Sequence, residues 1–536
     1  MKTKRLLSMA LAGALLLGAI TACVTTPAAP GSQPANGNAS ASTPTTGNGQ
    51  PANQQEPNGN GTRGSLIIAT QNEATTVAPG RHIVQASALK NALTHNSLFR
   101  TNYEDLQPVP DVVASWQALS DVLFEFTIYE GILFHNGEEM TAYDVVASFY
   151  YVRTYPDART SHLSAISAEV VDRYTLTIYT GSPNASLFFD LSGQANAIMP
   201  KSLIESGHDF TAMPTGSGPF VFDNWRLGES MTFTAFHDYF DTERTAKIET
   251  VTWRVVPEGS SRVIALETGE IDLVIEVPET DVPRLEAHPN VTVFSTEGTA
   301  FNKILLNNSV APFDNIVVRQ ALNMAIDQEA LVLAAFNGLA TPIREQVPIV
   351  FPGTTSEGIL PFDPAGAKAL LAEHNIDPAT IGFDMIASSE ERRRMAEVVQ
   401  AQLQEIGIPT TITVNDHATT IQRSLDADYE ALFGMWNASH LLPMLRGVFH
   451  GGIEGNPNRN RINYPELNAL IDQGIATIDA DARNAIFEEA SRMVNELSIN
   501  IPTHLPITFR AFNANLMAPE LNAVGGLNVN MMFWAE

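Results

Sequence analysis

The chain has 536 residues, 44% of them hydrophobic, and its 31 Lys and Arg residues against 59 Asp and Glu residues give a formal net charge of −28. This length exceeds what one hydrophobic core supports, so the sequence predicts two or three domains. The strong acidity argues against a nucleic-acid-binding protein, because contact with phosphates needs a basic surface, and against electrostatic adhesion to anionic lipid.

The first 22 residues have the pattern of an export signal. Three positive charges precede an apolar stretch at 6–20, which is too short to read as a membrane span. Residues 20–23, Ile-Thr-Ala-Cys, resemble a bacterial lipobox. Cys23 is the only cysteine, which excludes an intramolecular disulfide. The resemblance implies a diacylglycerol thioether on Cys23 after removal of residues 1–22; the alternative is an ordinary signal peptide that leaves a free thiol.

The next segment, residues 23–63, is dominated by Pro, Ala, Thr, Asn, Gly, Gln and Ser and has almost no large apolar side chains. Such a segment cannot bury enough surface to offset the entropy lost on ordering. The sequence therefore predicts a flexible tether. With a lipid at its start, the tether would hold a folded body near a membrane through the anchor alone.

The folded body begins with a predicted strand at 64–70 and continues as a mixture of strands and helices. Thr141 and Asp144 form a capping-box pattern before an apolar helical face. His135, nearby, is expected to be a hydrogen-bonded turn histidine. The glycine-rich run at 215–222 lacks the lysine of a phosphate loop and predicts a turn into a strand. Further strands are predicted at 122–128, 175–179, 231–236, 251–256 and 271–275, and helices at 84–99 and 260–266.

The stretch 304–327 predicts a crossing between two lobes. Its apolar strand must stop before Pro312, which cannot donate to a sheet ladder. Asp314 is the predicted N-cap of the next helix, and Asp327 the predicted N-cap of a second helix that ends at Gly338. A strand, a proline-marked turn and two abutting helices are typical of a chain that enters a new packed layer.

Beyond the crossing, strands and helices continue to mix. Helices are predicted at 363–372, 392–406, 465–471 and 483–497, and strands at 410–414, 429–436 and 505–512. The last strand is expected to return toward the first lobe. The predicted class is α/β with more than one sheet.

Several of these segments together resemble the family 5 extracellular solute-binding proteins, the peptide/nickel-binding lipoproteins of ABC importers. The segments that carry the resemblance are 134–149, 215–225, 311–327, 401–409 and 463–472. The resemblance implies a type II periplasmic-binding-protein fold, with two lobes joined by a hinge and an extra subdomain in the first lobe. The implied division is 64–95, 215–301 and 510–536 for the first lobe, 96–214 for the extra subdomain, and 302–509 for the second lobe.

The resemblance implies a monomer at the outer face of the cell membrane that captures a small solute between its lobes and delivers it to an ABC permease, without a cofactor and without chemistry on the solute. Two alternatives remain open. One is a surface-anchored sensor or adhesion lipoprotein. The other is a secreted hydrolase; the sequence has no H-E-x-x-H or G-x-S-x-G motif and no available cysteine nucleophile, although a pair of acids stays possible.

The resemblance also places a binding site after the strand at 429–436. In the family this strand ends in a tryptophan, and the following loop carries an aspartate that pairs with the α-ammonium of a bound peptide. Trp436 matches the tryptophan, whereas residues 438–442 offer no carboxylate. A buried, unpaired ammonium is costly, so a free peptide N-terminus is in doubt at this position. Peptides stay the favoured solute, because another acid could supply the pair.

Trp436 is expected either to stack on the solute or to fill core. The other candidates for solute contact have plainer alternatives. His440 and Asn437 follow Trp436 in the loop, and the alternative for His440 is an exposed loop histidine. Asn302 lies just before the crossing, where the alternative is a strand-end turn. Arg446 could hold a solute carboxylate or form a surface ion pair, and His450 is a weaker candidate than His440. No residue is predicted to bind a metal.

Overall fold

The computed structural model describes residues 64–81, 85–154, 165–438, 440–453, 458–518 and 525–535. The predicted export signal, Cys23 and the predicted tether lie outside these residues, so those three predictions stay untested. Within the described ranges, no helix combines the length and the apolar character needed to cross a membrane.

The described strands are β1 (Ser65–Thr70), β2 (Phe99–Thr101), β3 (Pro108–Pro110), β4 (Val113–Ser120), β5 (Leu123–Ile128), β6 (Ser167–Val170), β7 (Thr175–Tyr179), β8 (Phe220–Arg226), β9 (Ser230–Ala235), β10 (Thr250–Val255), β11 (Leu273–Val274), β12 (Val291–Glu297), β13 (Phe301–Leu306), β14 (Ala340–Pro342), β15 (Phe383–Ala387), β16 (Thr410–Val414), β17 (Ala431–Trp436), β18 (Asn500–Asn513), β19 (Leu516–Met517) and β20 (Phe533–Trp534).

The described α-helices are α1 (Gln85–Thr94), α2 (Ala142–Val152), α3 (Ser186–Leu191), α4 (Lys201–Ser206), α5 (Gly259–Glu267), α6 (Val282–Glu286), α7 (Ile316–Ala325), α8 (Gln328–Phe336), α9 (Pro364–Glu373), α10 (Glu390–Glu405), α11 (His417–Leu425), α12 (Leu441–Met444), α13 (Pro465–Ala476) and α14 (Ala480–Leu497). A π-helical turn, Leu445–Phe449, follows α12 directly.

The strands form one long mixed sheet and three small ones. The long sheet has 12 strands, in the order β16-β15-β17-β13-β18-β11-β1-β10-β9-β8, with β12 and β14 also paired to β18. Pairing is parallel between β1 and β10 and between β15 and β16, and antiparallel between β13 and β17. A separate antiparallel sheet has the order β4-β5-β7-β6. The predicted α/β class with more than one sheet is confirmed.

Strand β18 lies in the middle of the long sheet and joins its two halves. Its residues 500–504 pair with β13, and its residues 507–513 pair with β12. The chain passes from β12 to β13 across residues 298–300, directly beside β18. Two segments therefore run side by side from one part of the sheet to the other, close to the predicted crossing. The predicted lobe boundaries themselves stay a prediction.

The buried apolar residues form several cores along this framework. One lies between a face of β13, β15 and β17 and helices α7 to α10. A second contains residues of α12, α13 and α14. A third lies under the four-stranded sheet with α2 and α3. Two more cover opposite faces of β1 and β11. Because alternate strand residues point to opposite faces, Ile304 and Leu306 enter the first core while Lys303 and Leu305 face away from it.

Several local predictions are confirmed. The Asp144 carboxylate accepts a hydrogen bond from the Thr141 backbone N–H at 2.8 Å, which completes the capping box of α2. His135 Nε2 lies 2.9 Å from the carbonyl oxygen of Gly218, as expected of a turn histidine. The Asp327 side chain accepts from two backbone N–H groups at the start of α8.

Two local predictions are wrong. Asp314 does not cap α7; Asn315 does, with its Oδ1 accepting from the Val317 N–H at 2.9 Å. Asp and Asn both suit an N-cap, so the sequence alone does not distinguish Asp314 from Asn315 as the residue that precedes the first turn of α7. The helix predicted at 84–99 ends at Thr94 and is followed by strand β2.

Candidate functional site

A cavity of about 70 Å³ lies against the face of β13 and β17 that points away from the first core. Strand β13 contributes Lys303 and Leu305 to its walls, and β17 contributes the run from Leu432 to Trp436. Helix α11 closes one side with His417, Thr420, Ile421 and Ser424. The remaining wall comes from Arg392 of α10, Val448 of the π-helical turn, and Arg459 and Asn460 in the segment that follows this turn.

The cavity depends on a glycine in its floor. Gly434 pairs with Lys303 across the β13–β17 ladder. A Cβ atom at position 434 would lie 2.6 Å from Leu305 Cδ1, which is closer than van der Waals contact allows. Any side chain here would push Leu305 aside or enter the cavity, so glycine keeps the floor open.

Lys303 is the most unusual residue of this site. Its side chain is 3% exposed, and its Nζ has no hydrogen-bond partner among the described residues. The Nζ atom lies 4.7 Å from the ring centroid of Phe301 and 5.6 Å from that of Phe449. Burial, with a smaller contribution from the nearby Arg459, lowers the pKa of Lys303 from 10.5 to about 7. Buried lysines are rare unless they are paired.

Two arginines share the cavity wall with Lys303. Arg459 is half-buried, and its Nε has no partner among the described residues. Arg392 donates from Nη1 to Ser388 Oγ at 2.7 Å. Burial lowers the pKa of both guanidinium groups, which stay charged because their ordinary pKa is 12.5. None of the described residues that line the cavity is acidic. The site therefore has a positive potential and is suited to an anionic group.

Trp436 ends β17 at the edge of this cavity. It is half-buried and packs against the second core, and its Nε1 has no hydrogen-bond partner among the described residues. A buried indole N–H usually finds an acceptor. The ring thus fills space between core and cavity, and its buried N–H lacks an acceptor among the described residues.

Asn302, Asn437 and Arg446 are close in sequence to this site but do not line the cavity. Asn302 pairs with Met435 in the ladder and donates from Nδ2 to the Ala300 carbonyl at 3.1 Å. The exposed Asn437 accepts from Thr299 Oγ1 at 3.1 Å. Arg446 is exposed on the π-helical turn. Their predicted contact with a solute stays a prediction.

His440 lies at a different, smaller cavity of about 10 Å³. Its ring packs on Phe189, with 4.0 Å between the ring centroids, and Arg483 lines the same space. The fold therefore separates His440 from Trp436, although four positions divide them in sequence. His450, the weaker candidate, has its Nε2 3.2 Å from a carboxylate oxygen of Asp472. Among the described residues, no group of three or more His, Cys, Asp or Glu side chains is arranged to hold a metal ion.

The three cations of the cavity were missed by the sequence predictions. One signal was present: Lys303 directly precedes the apolar run Ile304–Leu306 of β13, and a lysine that points into a buried sheet face is unusual. Arg392 begins a predicted helix rich in charge, and Arg459 lies in a polar loop. Neither gives a sequence signal for a shared site, because only the fold brings the three segments together.

The family model for bacterial extracellular solute-binding proteins, family 5 Middle, matches residues 107–447. Heme-binding protein A from Haemophilus influenzae is 27% identical over 450 residues, which cover 77% of this chain and 81% of the relative. Glutathione-binding protein GsiB from Salmonella paratyphi A is 30% identical over 365 residues, covering 66% and 69%. The solved structure of HbpA2 from Haemophilus parasuis has a TM-score of 0.82 at 21% identity, and covers 88% of this chain and 100% of that one. The predicted type II periplasmic-binding-protein fold is confirmed by this structural similarity.

Proposed function

Because the chain belongs to the bacterial extracellular solute-binding proteins, family 5, it has a solute-binding role, and we propose that it captures that solute at the cavity beside Trp436 for the permease of an ABC importer. The family consists of substrate-binding proteins, not enzymes. The observation that carries the proposal is the end of β17, where Trp436 lines a cavity whose described walls carry cations and no acid; the indole N–H of Trp436 has no partner among the described residues.

The proposed capture works by closure of two lobes over the solute. Two segments, β12–β13 and β18, cross side by side between the parts of the long sheet, and a pair of short crossings can act as a hinge. A solute that contacts both lobes binds the closed form better than the open form, so it shifts the population toward closure. The closed form is then the state that a permease distinguishes from the empty protein.

For the solute we propose a peptide or a related small organic molecule. The named relatives are a heme-binding and a glutathione-binding protein, so members of this family differ in what they bind. The lack of an acid at residues 438–442 disfavours a peptide ammonium at Trp436, but a peptide can enter in the opposite direction.

We also propose that the protein is a monomer held at the outer face of the cell membrane through a lipid on Cys23, with residues 23–63 as the tether. The support is the sequence pattern around Cys23 and the composition of the tether. No other contact with the membrane is part of this proposal.

The proposal is tested by thermal unfolding of the purified chain, without residues 1–22, against short peptides, glutathione, heme, nickel chelates and sugars. A ligand that binds only the folded state stabilises it by about 2.7 kcal/mol at a hundredfold excess over Kd. We expect one chemical class to raise the midpoint, and the bound compound to be recovered unchanged. If no chemical class raises the unfolding midpoint, the proposed binding at this cavity is wrong. If a stabilising compound is recovered in hydrolysed form, the hydrolase alternative is favoured instead.

A further inference from the structure

The cavity beside β17 places a cation where the described residues offer it no acceptor. Lys303 Nζ has no partner among the described residues, and the side chain is 3% exposed. An ammonium removed from water without a hydrogen bond destabilises the fold, so such a group is uncommon unless it acts on something. Its Nζ lies 4.7 Å and 5.6 Å from the ring centroids of Phe301 and Phe449, and these rings stabilise a cation but accept no conventional hydrogen bond.

The composition of the cavity walls is opposite to that of the chain. Acidic residues outnumber Lys and Arg by 59 to 31 in the sequence, yet the described walls contain Lys303, Arg392 and Arg459 and no acid. Cations in close proximity repel one another, and Arg459 indeed disfavours the charged form of Lys303. An anion placed between them removes this repulsion and supplies the missing acceptor.

We infer that this cavity holds a carboxylate of the solute, so that the solute enters with its anionic end against Lys303, Arg459 and the Trp436 indole N–H. The inference rests on the proposed function and narrows it to organic anions. The inference also fixes the orientation of the bound solute: its carboxylate end enters this cavity and an ammonium end does not, because the cationic walls repel an ammonium.

The size of the cavity agrees with this assignment. Its volume is about 70 Å³, and a single water needs about 10–15 Å³ on the same measure, so a group of several heavy atoms fits. A carboxylate is a group of this size. The rest of the solute would extend past Trp436, whose ring lies at the edge of the cavity and presents an aromatic surface.

The test compares two pools of tripeptides built from uncharged residues, one with free C-terminal carboxylates and one with C-terminal amides. Isothermal titration calorimetry measures each pool against the wild-type chain, Lys303→Met and the control Lys368→Met, which removes an exposed lysine of α9. We expect the acid pool to bind wild type and Lys368→Met about tenfold to hundredfold more tightly than the amide pool, and Lys303→Met to lose this preference. Equal affinity of wild type for the acid and amide pools overturns the inference while the proposed function stands.

A second arm does not depend on the identity of the solute. Thermal unfolding is followed in sodium acetate and in sodium chloride at equal ionic strength, and the difference between the two salts is compared among the variants. The carboxylate site is supported if acetate raises the unfolding midpoint, relative to chloride, more in wild type and Lys368→Met than in Lys303→Met. This result supports the site even if neither peptide pool binds, an outcome that would exclude peptides as solutes. The same acetate effect in all three proteins overturns it. Arg459→Gln, at a half-buried position, replaces Lys303→Met if the latter does not fold.

Discussion

Replacement of Lys303 by methionine should make the solute-free protein more stable, although it removes a residue of the binding site. Methionine has a similar length and no charge, so it keeps the packing against Phe301 and Phe449 without burying an ammonium. Burial lowers the pKa of Lys303 from 10.5 to about 7. At about 1.4 kcal/mol per pKa unit, the buried charge costs about 5 kcal/mol of the free energy of unfolding, and the two aromatic rings return about 1–2 kcal/mol of it.

The sign of the pH dependence follows from the lowered pKa. Between about pH 7 and pH 10.5 the unfolded chain holds a proton on Lys303 that the folded protein has released, so the stability of wild type rises with pH in this window. Below pH 7 both states are protonated and the full cost is present. The gain from Lys303→Met should therefore be about 3–5 kcal/mol at pH 6 and about 2 kcal/mol at pH 9.

Urea unfolding at pH 6 and at pH 9, with Lys368→Met as the matched control, measures these gains. The control lies at an exposed position of α9 and should change the free energy of unfolding by less than about 0.5 kcal/mol at either pH. A gain from Lys303→Met that is the same at both pH values, or a loss of stability at pH 6, would refute the reasoning that the ammonium is buried and unpaired.

Three further predictions concern the site, a helix cap and the anchor. Trp436→Phe, which keeps an aromatic ring but removes the unpartnered N–H, should weaken solute binding in calorimetry by about tenfold and leave the unfolding midpoint nearly unchanged; a lowered midpoint with unchanged affinity would make Trp436 a core residue. Asn315→Ala should lose about 1 kcal/mol of unfolding free energy, because its side chain caps α7, whereas Asp314→Ala should lose less in the same urea titration. Cys23→Ala should release the full-length chain from the membrane fraction of cells, and retention there would contradict the proposed lipid anchor.

The secondary structure follows closely from the sequence wherever periodicity and end signals agree. Helix α10 has a regular apolar stripe and stops at Gly407, and the observed helix, Glu390–Glu405, extends the prediction by two residues at its start. Strand β18 was predicted at 505–512, but it spans Asn500–Asn513, so the prediction missed its first part, which contains Pro502. In the fold, Pro502 and Pro506 lie opposite Lys303 and Ala340 within the ladder, so the strand continues through both prolines.

Other elements gave too weak a signal. Helix α11 was missed because its sequence is polar and rich in threonine; of its residues, only Thr420 and Ser424 are buried. Helix α1 was extended too far, since the residues after Thr94 form side-chain hydrogen bonds, such as Asn96 Nδ2 to Asp111 at 2.9 Å, instead of another helical turn.

The candidate site was predicted only in part. Trp436 could be placed from the family resemblance, because it ends a strand of recognisable pattern. The cations could not, since Lys303, Arg392 and Arg459 come from a strand, a helix start and a loop that are far apart in the sequence. His440 illustrates the reverse: nearness to Trp436 in sequence suggested a shared site, and the fold places it on Phe189 instead.

The most direct test of the account is native mass spectrometry of the purified chain after incubation with a small-molecule extract of bacterial cells. The account predicts one solute bound per chain, which carries a carboxylate, is released on unfolding, and is absent from Lys303→Met treated in the same way. A wild-type protein that emerges with no added mass, or that keeps the same solute after Lys303→Met, would contradict binding at the cavity beside Trp436.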